Sequence, residues 1–102
     1  MKDAVMDIKW RLVQIFVDLD GVSEVSIATH DKKKISCTCP GFSSTARCKH
    51  VRYVRASMAE NNGEYIVQIP DSVSEEDALR AMLSEDTWRE FIRKYAVVES
   101  ID

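Results

Sequence analysis

All three cysteines of this 102-residue chain fall inside one short stretch, and a histidine follows the last of them by two positions. Cys37-Thr38-Cys39 and Cys48-Lys49-His50 are separated by the eight residues Pro40 to Arg47. Three thiols and one imidazole are the ligand set of a closed structural zinc site, tetrahedral, with Zn–S of about 2.3 Å and Zn–N of about 2.0 Å. The single residue between the first two cysteines carries meaning. Alternate residues of a β-strand fall on one side, so Cys37 and Cys39 point together while Thr38 turns away. Thiolates with a neutral imidazole suit Zn2+ better than iron. The competing reading treats Cys37, Cys39 and Cys48 as small buried hydrophobes and His50 as an ordinary helix residue. Four donors packed so closely in sequence weigh against it. The four form the expected metal site, with Zn2+ as cofactor. His30, beside three lysines, is read as solvent-exposed.

The rest of the chain supplies elements that could carry these donors. Around residues 11–19 two periodicities compete. Val5, Ile8, Leu12, Ile15 and Leu19 follow a helical spacing, yet Val13, Ile15, Phe16 and Val17 are β-branched or aromatic and precede an Asp20-Gly21 turn. A strand is favoured, with a helix packed on the sheet as the alternative; residues 3–10 read as either a short helix or extended chain. Residues 22–29 form a second strand on the alternation of Val25 and Ile27, and 34–37 a third, ended by Pro40-Gly41. Residues 42–46 read as a loop anchored by Phe42. A helix over 48–60 stops at Asn61-Asn62-Gly63, with His50, Val51, Val54 and Met58 on one face and Lys49, Arg52 and Arg55 on the other. A strand over 64–69 with Tyr65, Val67 and Ile69 on one side, and helices over 75–83 and about 86–95, complete the chain, with 97–101 as a candidate last strand. Ser84 or Asp86 caps the final helix, which places Trp88, Phe91, Ile92 and Tyr95 on one stripe.

The pattern C-x-C…C-x-H resembles the SWIM-type zinc finger over roughly residues 22–60. The resemblance implies that the first two cysteines end a β-hairpin and that the third cysteine and the histidine open a helix. The fold class expected is α+β: a small antiparallel meander plus one helix around a Cys3His zinc site, with two C-terminal helices. Residues 1–63 would form the zinc-finger region and 64–102 a strand and acidic helical extension packed on it, all in one domain.

Composition narrows the function. No stretch of eighteen apolar residues exists, so no membrane span is expected. An odd number of cysteines argues against a disulfide framework, and an N-terminus without a signal-like apolar core places the chain in the cytoplasm. Four good ligands fill a zinc shell, which leaves no open position for substrate. Asp18-Leu19-Asp20 is read as two solvated turn acids. No phosphate-binding glycine loop or nucleophile arrangement is present, so neither an enzyme nor a small-molecule substrate is expected. The net charge of −3 conceals a basic segment: Lys32, Lys33, Lys34, Arg47, Lys49, Arg52 and Arg55 surround the finger against Asp31 alone, whereas residues 56–102 are strongly acidic. Those seven are the candidate phosphate contacts of a DNA-binding surface. SWIM-type fingers are generally proposed to bind DNA or proteins, so the resemblance also implies a regulatory adaptor. Such an adaptor would use the finger or the aromatic face of the last helix. The bland alternatives are solvated lysines and arginines, and an aromatic stripe consumed by the core.

Overall fold

The computed structural model describes residues 9–19, 21–45 and 47–101. Three strands, β1 (Trp10–Asp18), β2 (Gly21–Ala28) and β3 (Asp31–Cys37), form an antiparallel sheet in the order β1-β2-β3. Four helices follow: α1 (Pro40–Thr45), α2 (Lys49–Glu60), α3 (Glu75–Ala81) and α4 (Glu85–Tyr95). The fold is α+β, with α2 against one face of the sheet and α4, carrying α3, against the other. The reading of residues 3–8 lies outside the described residues.

β1 is buried on both faces from Leu12 to Phe16, and a bulge makes this workable. Leu12 pairs with Ser26 and Gln14 with Val25, so Val13 is the extra residue. A bulge inserts one residue and shifts the alternation that follows it. Leu12 and Ile15 therefore share the α4 side, in a core with Trp88, Phe91 and Ile92. Val13 and Phe16 share the α2 side, in a core with Val25, Ile27, Ile35, Val51, Val54 and Met58. The three-residue spacing that suggested a helix is the signature of this bulge. The hairpin closes where Asp18 pairs with Gly21, whose φ of +106° is open to glycine at little cost.

Three expectations are corrected. Residues 42–46 are not a loop up to Thr45, because Pro40 starts α1; its fixed φ suits the first helical position, where the missing N–H is not needed. Residues 64–69 alternate as expected, with Tyr65, Val67 and Ile69 turned inward, but form no ladder. The segment instead packs against both cores, and its Gln68 carbonyl accepts from the Val97 N–H at 2.9 Å. Residues 97–101 contribute one parallel bridge, Phe16 to Glu99, and not a full strand.

The helices begin and end where their caps dictate. Ser74 caps α3 by accepting from the Asp77 N–H, and Ser84 forms a capping box with Thr87 at α4. α2 stops as Asn62 and Gly63 adopt positive φ and the Gly63 N–H returns to the Met58 carbonyl at 2.7 Å. The Trp88 indole N–H reaches the Leu12 carbonyl at 2.8 Å and docks α4 on β1. Arg11 and Arg93 add two-pronged bonds to Glu85 and Glu24. The aromatic stripe is thus largely core: Trp88, Phe91 and Ile92 are buried.

Gln14 is the polar pin of this arrangement. Its side chain is buried, donates to the Val97 carbonyl at 2.7 Å and accepts from the Tyr65 hydroxyl at 2.7 Å. Gln14→Leu should remove the bonds to both part-buried partners. A loss of about 1–3 kcal/mol in denaturant unfolding is expected, against about 1 kcal/mol for Tyr65→Phe.

Candidate metal centre

The donors arrive from two elements with unrelated backbones. β3 delivers Cys37 at its last position, and the chain runs on through Cys39 before α1 begins. Cys48 sits at the N-cap of α2 in an extended conformation, and His50 is in the first turn. The Cys48 sulfur accepts from the Val51 N–H at 3.4 Å, so one side chain serves as helix cap and candidate ligand.

Alternation and helical phase account for the convergence. Cys37 lies two residues from Ile35 and so shares its buried face. His50 belongs to the buried stripe of α2, with Val51, Val54 and Met58, as the sequence suggested. One ligand atom from each of Cys37, Cys39, Cys48 and His50 lies within 4.8 Å of every other. A tetrahedral site with the bond lengths above has ligand–ligand edges of roughly 3.5–3.8 Å. The 3.5 Å between Cys37 Sγ and His50 Nδ1 already matches that edge. The remaining donors need only a small inward movement, so the set fits one ion.

The imidazole is oriented as well as placed. His50 Nε2 lies 2.8 Å from Asp18 Oδ2. A carboxylate can only accept, so the Nε2–H donates to it and Nδ1 keeps a free lone pair toward the sulfurs. Phe16 packs on the ring at 4.8 Å between centroids, and Tyr53 meets Phe16 edge-on at 5.4 Å. Asp18 was read from the sequence as a solvated turn acid. The structure buries it, with its side chain 2% exposed, and Lys49 Nζ reaches the same oxygen at 3.3 Å. The usable signal was its position two residues after Phe16, on the same strand face. Asp20 lies outside the described residues.

Without metal, the Cys37 and Cys39 thiols differ. Burial pushes Cys37 up to about 12. Burial would also raise Cys39, but the Phe42 backbone N–H and the neighbouring side chains outweigh it and bring the thiol down to about 7. A metal needs thiolates, so binding must expel the proton that Cys37 holds at neutral pH.

The seven basic candidates do not act as one group. Lys32 pairs with Glu64. Lys33 is exposed, and its carbonyl accepts from Arg55 Nη2 at 3.2 Å. Lys34, one residue before buried Ile35, alternates to the other face of the sheet. Arg47 and Arg52 are exposed, on either side of the α2 entrance and its first turn. Lys49 departs from the outward face expected for it. Besides Asp18 it bonds the Ile101 carbonyl at 3.2 Å, because the C-terminal segment passes over this end of α2.

Residues 13–53 match the family model of the SWIM zinc finger. The matched segment is longer at its start than the 22–60 expected, because it takes in most of β1 and with it Asp18. It runs through all four candidate ligands to Tyr53. No curated protein and no solved structure matches the chain. No described helix is long and apolar enough to cross a membrane.

Two outcomes follow for this candidate site. Cys48→Ser should lower metal content, measured by elemental analysis, together with the midpoint of thermal unfolding; normal stability at reduced metal content would uncouple ion from fold. Because binding displaces protons from buried thiols, affinity should rise as pH is raised through neutrality and fall on acidification. Competition against a chelator of known pH dependence checks the sign.

Proposed function

We propose that the SWIM finger binds Zn2+ as a structural ion and that the ion holds a cationic strip in place for the phosphates of a nucleic acid. The donor chemistry supports zinc: three thiolates and one imidazole complete a tetrahedral shell. Metal energies in such sites, about 10–16 kcal/mol in peptides, rival the stability of a whole small domain.

The observation that carries the nucleic-acid reading is the arrangement of arginines on α2. Arg47, Arg52 and Arg55 border one open concavity beside Cys48, with Val51 at its floor. Arg55 also borders a second concavity, together with Lys32 and Lys33 of β3. The strip therefore runs from the metal-binding mouth of α2 to the strand edge, and Arg55 ties the two. Arginine suits this use because its planar fork meets phosphate in two places. The acidic first turn of α3 belongs to the opposite side of the sheet, where Ala81 and Ala78 join the α4 core. That placement keeps the acidic turn of α3 away from the strip, although the chain's net charge is −3. The candidate contacts narrow to Lys33, Arg47, Arg52 and Arg55, with Lys32 beside them in its pair with Glu64.

The adaptor reading loses the aromatic face of α4, since Trp88, Phe91 and Ile92 are spent in the core. It keeps the basic strip, which would then grip an acidic protein.

Anisotropy of labelled single- and double-stranded DNA across a salt series tests the proposal. The logarithm of affinity should fall linearly with log[salt], by about 0.9 per phosphate neutralised on a duplex and about 0.7 on a single strand. Replacing Arg52 and Arg55 together with alanine should flatten the slope by about 1–2. No binding to either form at low salt would overturn the nucleic-acid reading and leave the acidic partner.

A further inference from the structure

We propose that Asp18 is a positioning residue of the metal centre: it holds His50 so that Nδ1 is the ligand atom, and Lys49 holds Asp18 in turn. The proposal rests on the metal reading above.

The first support is burial. The side chains of Asp18 and His50 are 2% and 1% exposed. A carboxylate withdrawn from water is costly unless it is paired and hydrogen-bonded. Here one oxygen receives the His50 Nε2–H at 2.8 Å and lies 3.3 Å from the Lys49 ammonium. A solvated turn acid would need neither partner.

The second support is direction. The two ring nitrogens face different neighbours. Nδ1 lies 3.5 Å from Cys37 Sγ, whereas Nε2 meets the carboxylate. With Phe16 against the ring, a turn of the imidazole that exchanged the two nitrogens would set a bare nitrogen or a sulfur-facing N–H in the wrong place. Histidine ligands commonly donate their second N–H to a carboxylate, which fixes the tautomer and raises ligand basicity.

The third support is charge. Three thiolates around a dication leave the centre with one net negative charge, and Asp18 adds another beside it. Lys49 supplies the compensating positive charge at close range. This gives a reason for Lys49 to fold back onto Asp18 and the Ile101 carbonyl, where the sequence suggested an outward phosphate contact. Lys49 therefore belongs with the metal, and Arg52 and Arg55 with the strip.

The full chain loaded with zinc provides the test, using Asp18→Ala, Asp18→Asn and Lys49→Met. Zinc affinity is read by competition with a chromophoric chelator, and the His50 tautomer by nitrogen chemical shifts. Loss of such a carboxylate partner should weaken zinc by about 10–100-fold in Asp18→Ala. Asp18→Asn, which keeps an accepting oxygen, should recover part of that loss. Circular dichroism at saturating zinc should match the unsubstituted protein, which separates weak affinity from lost structure. Lys49→Met should weaken zinc while leaving the salt slope for DNA unchanged. An Asp18→Ala protein that binds zinc as tightly as the parent, or a parent whose His50 carries its proton on Nδ1, would overturn the proposal and leave the metal site standing. A parent that binds no zinc at all would instead remove the metal reading beneath it. Should Asp18→Ala fail to fold, Lys49→Met decides: unchanged zinc affinity overturns the proposal, and weakened affinity with an unchanged DNA slope supports it.

Discussion

The arrangement around the candidate metal site depends on four soft and borderline donors being drawn together from two elements of different kind, a strand and a helix. β3 ends at Cys37 and α2 is capped by Cys48, and only α1 and its flanks lie between. A core this small gives limited stability by burial alone. A metal held by these donors would cross-link a strand end to a helix mouth beside the cluster in which Val51, Val54 and Met58 meet Val25, Ile27 and Ile35. The metal site and the α2 core would then be one mechanical unit. The α4 core, on the other face, is built from conventional packing and one buried indole hydrogen bond.

Legibility in the sequence followed the range of the interaction. The Cys37/Cys39 pair was readable because strand alternation is local, and the buried stripe His50-Val51-Val54-Met58 because helical phase is local. The capped starts of α3 and α4 were readable for the same reason. Less visible were features set by distant partners. The bulge at Val13 imitated helical periodicity, since an inserted residue returns Leu12 and Ile15 to one face. The Tyr65–Ile69 segment alternates like a strand, yet whether it pairs depends on a neighbour that sequence does not name. Asp18 looked like turn chemistry because its partners, His50 and Lys49, are some thirty residues away. Lys49 was misplaced for a related reason: helical phase gives its starting direction, but a long flexible side chain ends where charge is needed.

The division of charge acquires a spatial meaning from the two cores. The sheet separates a face served by arginines of α2 from a face served by the acid-started helices α3 and α4. The acidic first turns of α3 and α4 thus lie across the sheet from the arginines of α2, while Glu64 and Glu99 stay on the α2 side, beside Lys32 and Tyr53. The crossing points are specific pairs, Arg93 with Glu24 and Arg11 with Glu85, that fasten α4 to the sheet. Arg93 holds the Glu24 carboxyl below its ordinary range through that bond.

The order β1-β2-β3 leaves β3 with an outer side on which, among the described residues, no further strand pairs. An unpaired strand of this kind is an invitation to another chain, which could extend the sheet from molecule to molecule. Lys32, Lys33 and Lys34 are consecutive and exposed there, Lys32 in its pair with Glu64, and Arg55 bonds the Lys33 carbonyl. Two molecules approaching flank to flank would set ammonium against ammonium before any backbone bond could form. A run of lysines on an unpaired strand is one of the ways in which sheet edges resist such extension.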